Sequence, residues 1–444
     1  MGDCKTECIS KKSRWLCPND ICHYFVCICY YYFRCFGMVN YAFKRCDTGT
    51  TKAMSREDQE RITIVCCVSR TSTSISHIRY PLVAFEMRCL VWLNVISRSI
   101  CCSLFLYGAL KLWKVDDYFY AYVIIQVFFL AACPLIEAIL NFLNRRQIVF
   151  AINELLRIMQ QLEEFQPNYK LFRWIHVALL ALKLSSFIYE IVCIGHEVYI
   201  SMDNGDLYSI SLVVVEMYLM VTVWLSLHMI SISYICVEAL LNSLTHYVRQ
   251  NLIPRIRDTR HRWPASQTDL ENLKSDLQTF SNLLIRIQRN ALDLHKLWQL
   301  LILTTILFIY CGTTCVIYYT VWQYYEDNQM HTRYIVFILK LLFDVGLLSL
   351  TGHRAVSASQ LVGIVGFDNS AAMNENEEWN REIELFLHRI QLNEFKLNVF
   401  GLFYISNTLT LAFISGILTS ISIFIPFSIK TYRVQQFLHN WNSV

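Results

Sequence analysis

An all-α, polytopic membrane protein with seven transmembrane helices follows from three observations. The 444 residues are 55% hydrophobic and 14% aromatic. Only 17% are charged, where a soluble protein carries roughly 25%. Seven apolar stretches reach the roughly 20 residues needed to cross about 30 Å of hydrocarbon: 89–113, 117–140, 172–199, 208–235, 297–321, 334–352 and 398–427.

Residues 1–88 precede these spans. Within them, Ile21–Phe33 is apolar but too short to span and is cut by Arg34, so it is expected at the membrane interface as an amphipathic helix. Lys5, Lys11, Lys12 and Arg14 mimic the flank of a signal peptide, but Pro18 and Asp20 intrude and no small-residue cleavage site follows. Met1-Gly2-Asp3-Cys4-Lys5-Thr6 fits the loose myristoylation pattern; chance explains it better in a chain already anchored by seven helices. The first span contains Arg98, and a central Arg costs on the order of 2.5–3.5 kcal/mol on insertion scales.

Several spans read as running on past the membrane. The fourth continues through Leu240, Leu241 and Leu244. Between Asp269 and Lys296, Leu270, Leu273, Leu277, Phe280, Leu283, Leu284, Ile287 and Leu292 recur at helical spacing and lead into the fifth span. Trp379–Phe395 behaves similarly, with Ile383, Phe386, Leu387 and Ile390 on one face, after an acidic tract at 374–378 expected to be an exposed loop. The organisation is therefore 1–88, spans one to four over 89–235, a helical extension over 236–296, spans five and six over 297–352, a loop and anchor helix over 353–397, the last span over 398–428 and a tail over 429–444.

Loop charge gives the orientation. The connections after spans one, three and five carry Asp116, Asp117, Asp203, Asp206, Glu326 and Asp327. The opposite side carries Arg145, Arg146 and Arg157, then Arg249, Arg255, Arg257, Arg260, Arg262, Lys274, Arg286, Arg289 and Lys296. The N-terminus is thus expected in the cytosol and the C-terminus outside, the reverse of a G-protein-coupled receptor. The chain contains no Asn-x-Ser/Thr sequon, which agrees with little extracellular mass. Thirteen of the 18 cysteines precede residue 103; on the reducing side of a membrane they are expected as free thiols. No Cys-x-x-Cys pair exists and His23 has no partner at ligand spacing, so neither zinc nor any cofactor is expected.

Enzymatic motifs are missing: there is no Gly-x-Gly-x-x-Gly, Walker loop, Gly-x-Ser-x-Gly or His-Glu-x-x-His. The basic run 249–262 lacks the aromatic interleaving of a nucleic-acid surface. Neither Asp-Arg-Tyr nor Asn-Pro-x-x-Tyr stands where a G-protein-coupled receptor would place it, and the halves show no transporter-like repeat. A ligand pocket is sought instead in the outer halves of the spans, where polar aromatics and acids collect: Tyr122 and Gln126, Tyr189, Glu190 and His196, Glu216 and Tyr218, then Tyr310, Tyr318, Tyr319 and Trp322. For any single Tyr, interfacial anchoring is the simpler account. Glu190 and Glu216 each need a partner or water.

The last span carries Thr408, Thr410, Ser415, Thr419, Ser420 and Ser422 and no charge. Repeated hydroxyls on a membrane helix mean helix–helix hydrogen bonds or a wet pathway. Phe386-Leu-His-Arg-Ile-Gln-Leu392, Gly401-Leu-Phe403 and the small-rich helix ending in Thr419 resemble the C-terminal signature of insect gustatory receptors. That family's hallmark is a Thr-Tyr pair, five apolar residues and Gln-Phe. At that spacing this chain has Thr419-Ser420, then Pro426-Phe427. Thr431-Tyr432 and Gln436-Phe437 supply the same letters at the wrong spacing. Tyr30–Gly37 and Asn144–Leu156 resemble the family's approach helix and first cytoplasmic connection, whereas 52–88 match nothing.

The resemblance implies a homo- or heterotetrameric, ligand-gated, non-selective cation channel for small tastants, bitter-type more than sugars, in the plasma membrane of a chemosensory neuron. The last helices would line the pore, the helix extensions would form the intersubunit anchor, Phe427 would be a hydrophobic gate residue, and Pro426 departs from the family's polar one. A receptor coupled to G proteins, a transporter and a degenerate, silent receptor are the alternatives. Proline removes the 426 N–H bond to the Ser422 carbonyl and disfavours helix at Ile425, at about 3 kcal/mol in a helix interior, so a kinked or ended helix is expected there. Pro426→Gln is expected to change channel activity in cells; indistinguishable currents from both forms would contradict this.

Overall fold

The computed structural model describes residues 18–35, 38–39, 41–45, 82–111, 118–165, 171–203, 207–255, 267–327, 332–364, 380–381, 384–385, 388 and 395–442. The amino-terminal cysteines up to Cys17, Cys46, Cys66 and Cys67, the acidic tract, and the loop holding Arg257, Arg260 and Arg262 lie outside these residues.

The chain forms α1 (Pro18–Cys35), β1 (Tyr41–Arg45), β2 (Leu82–Glu86), α2 (Arg88–Lys111), α3 (Tyr118–Leu143), α4 (Arg145–Phe165), α5 (Trp174–Asp203), α6 (Leu207–Tyr247), α7 (Gln267–Asp327), α8 (Thr332–Ile364), β3 (Asn398–Val399), β4 (Phe403–Tyr404) and α9 (Asn407–Asn442). Among the described residues six helices are long and apolar enough to cross a membrane, on α2, α3, α5, α6, α7 and α8; a shorter apolar run, Asn407–Ile423, opens α9.

Two helices explain the architecture. With 41 and 61 residues, α6 and α7 are roughly 60 and 90 Å long at about 1.5 Å per residue, against about 30 Å of hydrocarbon. The carboxyl end of α6 and the amino end of α7 therefore extend together from one end of the bundle. α4 lies against that projection: Arg286 Nε donates to Glu154 Oε1 at 2.7 Å, and Asn290 Nδ2 donates to the Ala151 carbonyl at 2.9 Å. α6 is the central post, buried on most sides from Leu219 to Leu252, and packs on α2, α3, α5, α7 and α8. A helix apolar all round belongs in such an interior.

Arg98 makes the first span possible. It is fully buried, and its Nη1 sits 2.9 Å from Glu137 Oε2 on α3. Ser226 of α6 donates to the same carboxylate at 3.2 Å, and Asn141 Nδ2 donates to its other oxygen at 3.2 Å. Farther along, Glu238 accepts two prongs from Arg354 of α8, at 3.0 and 2.5 Å, while His176 Nε2 stands 3.6 Å away, beyond hydrogen-bond range.

Three expectations change. Residues 82–88, which matched nothing, contain β2, which pairs antiparallel with β1 in the register Tyr41 to Glu86. The last span does not begin as helix at 398: β3 and β4 form a tight hairpin around Phe400 and Gly401, whose φ values are 50° and 77°. Asn398 Oδ1 accepts from the Gly401 N–H at 2.9 Å, so the hairpin outcompetes helix here. Finally, α9 neither ends nor breaks at Pro426 but runs on to Asn442: one lost backbone bond does not stop a helix whose flanking residues continue it. Of Trp379–Phe395 only part is described; Phe395 itself is buried but non-helical.

Arg98→Met strands the Glu137 carboxylate in the bundle and is expected to cost about 3–5 kcal/mol, read as a lower Tm of the detergent-solubilised protein. Arg98→Met with Glu137→Leu should recover most of that loss. A double variant no more stable than the single one would contradict the pairing.

Candidate functional site

Helical spacing gathers charge inside the bundle. Lys183, Ser186 and Glu190 stand at i, i+3 and i+7 on one face of α5. Trp224 and His228 stand at i, i+4 on α6, as do Lys340 and Asp344 on α8. Lys340 Nζ lies 2.6 Å from Glu190 Oε1 and 2.9 Å from Asp344 Oδ2. It also sits 3.9 Å from the centre of the Trp224 ring, a cation–π contact. Lys183 Nζ approaches Asp344 Oδ1 at 3.5 Å, and Ser186 donates to that oxygen at 2.9 Å. His228 Nε2 faces both Glu190 oxygens at 3.1 and 3.2 Å, so Nε2 carries a proton toward the carboxylate. Two ammonium groups thus balance two carboxylates. All five titratable side chains are buried, where an unbalanced charge would be expensive.

A second constellation lies on α9. Leu409, Phe413 and Ile417 face inward and are buried against the bundle. The opposite face is exposed and carries Thr408, Leu411, Ala412, Ser415, Leu418, Thr419, Ser422 and Ile423. Its hydroxyls are held on the helix: Thr419 donates to the Ser415 carbonyl and Ser422 to the Leu418 carbonyl, each at 2.8 Å. Pro426 is exposed along the same stripe.

Two contacts from α7 fix this helix. The Tyr310 hydroxyl lies 2.5 Å from Ser420 Oγ and donates to the Gly416 carbonyl at 3.1 Å. Its ring meets Phe413 edge-on at 5.8 Å, and a Cβ on Gly416 would crowd that ring at 3.2 Å. At the hairpin, His295 Nε2 and Gln299 Nε2 each reach the Asn398 carbonyl at 2.8 Å, while His295 Nδ1 stands 2.9 Å from the Tyr234 hydroxyl. With Nε2–H donated to a carbonyl, Nδ1 accepts from Tyr234. A chain of bonds therefore runs from α6 through α7 to the entry of α9.

The residues picked from sequence distribute over these features. Glu190 joins the charge cluster, with Tyr189 half-buried beside it. Gln126 of α3 lies against Gly312 of α7, where an added Cβ would come 3.4 Å from its Nε2. Tyr310 and Ser420, placed separately as pocket and pore residues, meet. Glu216 and Tyr318 are half-buried, Thr419 is exposed and His196 is exposed. The side chains of Tyr122, Trp322 and Phe427 lie outside the described residues. The sequence reading missed Glu137, Lys183, His228, His295, Lys340 and Asp344. The signal was present, since charged pairs at i+4 or i+7 inside apolar runs need partners. No group of three metal-ligating side chains exists among the described residues.

Fold and site together define a multi-pass helical membrane protein. The chain belongs to the 7tm chemosensory receptor family, whose sequence profile matches residues 26–431. It is similar to putative gustatory receptor 93c of Drosophila melanogaster, 23% identical over 256 residues, 56% of this chain and 63% of that relative. It is also similar to putative gustatory receptor 93b of the same species, 21% identical over 364 residues, 80% of this chain and 88% of that one. Olfactory receptor OR5 of Machilis hrabei shares the fold, with a TM-score of 0.55 at 11% identity over 90% of this chain and 98% of that one. Its complex with eugenol aligns with a TM-score of 0.54 at 11% identity over 89% and 97%.

Tyr310→Phe and Ser420→Ala are each expected to lower stability by about 0.5–1.5 kcal/mol, measured by thermal unfolding in detergent. Because the bond between them is lost either way, the double variant should cost little more than Tyr310→Phe alone. Simple additivity would contradict the contact.

Proposed function

We propose that this chain is a subunit of a ligand-gated, non-selective cation channel for small tastants, with four copies placing α9 around a central pore. The exposed stripe of α9 carries this reading. A helix at the edge of a bundle, apolar inward and hydroxylated outward at Thr408, Ser415, Thr419 and Ser422, suits water and ions better than lipid tails. Four such stripes facing one axis would line a polar path, with Phe427 one turn and more beyond as a hydrophobic gate. Whether the neighbouring copies are identical or related receptors, the stripe serves equally.

Orientation supports the same reading. Arg249 and Arg255 just past α6, and Arg286, Arg289 and Lys296 on α7, all lie at the projecting end, which positive-inside puts in the cytosol with the N-terminus. The projecting helices would then form the intersubunit anchor. The ligand is a small, partly apolar, bitter-type compound. The charge cluster balances its own charge and is walled by Trp224, Phe337 and Phe187, so it offers too few polar groups to replace the hydration of a sugar's many hydroxyls.

Two measurements test the proposal. A tag after Val444 should be labelled by antibody on intact cells; labelling only after permeabilisation, with surface expression confirmed, would overturn the orientation and favour coupling to G proteins. Thr419→Cys should make tastant-evoked current sensitive to a charged thiol reagent in the bath, while the unsubstituted receptor stays insensitive. Equal insensitivity of both, with current intact, would remove α9 from the pore.

A further inference from the structure

The span of α2 begins at Cys89 and that of α3 ends at Leu143, and these two ends meet through a pair of aromatic rings. Trp92 and Phe142 stand edge to face with their centres 4.7 Å apart. The Arg145 guanidinium carbon lies 5.0 Å from the centre of the Phe142 ring, a cation–π contact. One residue from each of α2, α3 and α4 therefore joins a single stack. Helical bonds run across Asn144: its N–H donates to the Leu140 carbonyl and its carbonyl accepts from the Ile148 N–H, each at 2.9 Å. Leu143, Arg146 and Phe150 thus follow at i, i+3 and i+7 on one face, and all three are exposed.

The chemistry of this corner changes over a few residues. Trp92, Leu93, Ile96 and Ile100 make an exposed apolar stripe on α2, which suits acyl chains. The aromatic pair stands at the end of both spans, the headgroup level at which such rings gather. Arg145 and Arg146 come directly after the span of α3, and Arg146 makes no ion pair among the described residues. Between Leu143 and Gln161 the sole acid is Glu154, and Arg286 holds it at 2.5 Å. The corner therefore sets positive charge beside an apolar stripe. A choline headgroup would bring its own cation to these arginines. A serine headgroup brings a phosphate and a carboxylate, whose oxygens match the guanidinium fork.

We propose that this corner binds an anionic phospholipid, with the headgroup on Arg145 and Arg146 and the acyl chains along Trp92, Leu93 and Ile96. The choice of lipid rests on the orientation proposed above, which puts this end in the cytosol, where the leaflet is the anionic one. α4 is tied to α7 through Arg286 and Asn290. A lipid held here braces the bend between α3 and α4 and, through α4, the base of the projecting helices.

Photoreactive lipids test the site without any channel current. Full-length receptor is placed in phosphatidylcholine nanodiscs doped with a serine or a choline phospholipid, each carrying a diazirine on the acyl chain near the glycerol. Cross-links are then mapped at peptide level. At about fivefold per arginine, the serine lipid should label Cys89–Ile96 about 25-fold more heavily than the choline lipid does. The exposed patch of Ile188, Ile191 and Val192 on α5 should take both lipids equally. Arg145→Gln and Arg146→Gln should each lower the serine labelling about fivefold and leave the choline labelling unchanged, a split that a merely structural role would not produce. Equal labelling by the two lipids, a serine preference that survives in both variants, or the same preference on α5 would each overturn the proposal. Labelling by neither lipid would mean that a neighbouring copy covers the corner, and would overturn it too. Nanodiscs offer the same lipids to both leaflets, so the result depends neither on the orientation nor on whether the receptor conducts ions.

Discussion

Charge inside a low-dielectric bundle must be balanced, and most of the tertiary arrangement depends on that constraint. Leaving one partner of a buried pair alone costs about 3–5 kcal/mol, a large part of any domain's stability. Three pairings meet the requirement here: Arg98 with Glu137 ties α2 to α3, the cluster around Lys340 ties α5 to α6 and α8, and Arg354 with Glu238 ties α8 to α6. In lipid, where apolar contacts give little preference between helices, such pairs choose neighbours and register. An i, i+4 pair such as Lys340 and Asp344 meets its counterparts only at one height of α5. Sliding α8 by one turn would undo both ion pairs at once.

The same frame sets α9 apart. It packs on α7 and α8 through Leu409, Phe413 and Ile417, with no ion pair among the described residues and a few hydrogen bonds through Tyr310, while its hydroxyl face stays free. Its entry hairpin hangs from the Asn398 carbonyl, which His295 and Gln299 share. Neutral bonds of about 1 kcal/mol each are weaker than buried charge pairs, so the helix proposed to gate is also the one most lightly held. Movement of α7 relative to α6 would reach α9 through Tyr234, His295 and Asn398.

Much of this was legible in the sequence. Apolar run length gave the six long apolar helices, and the helical periodicity over 270–292 falls within α7. Arg98 stood out as costly, and Glu190 as an acid in need of a partner. The partners themselves were not legible, because a run such as 334–352 states that Lys340 and Asp344 are in the membrane but not which helices face them. Pairing is a tertiary fact. The β3–β4 hairpin was hidden for a different reason: Asn398, Phe400 and Gly401 sit within apolar neighbours, and composition over 20 residues averages the turn away. Pro426 does not end α9, because the loss of one backbone bond acts on a helix long enough to absorb it.

The central claim is that four copies bring the exposed stripes of α9 together around one axis. A single-particle structure of the full-length receptor in lipid nanodiscs tests it most directly. The account predicts a fourfold assembly with Ser415, Thr419 and Ser422 facing a central path, and with α6 and α7 packed against neighbouring copies at their projecting ends. A monomer, or an assembly in which that stripe faces lipid, would contradict it.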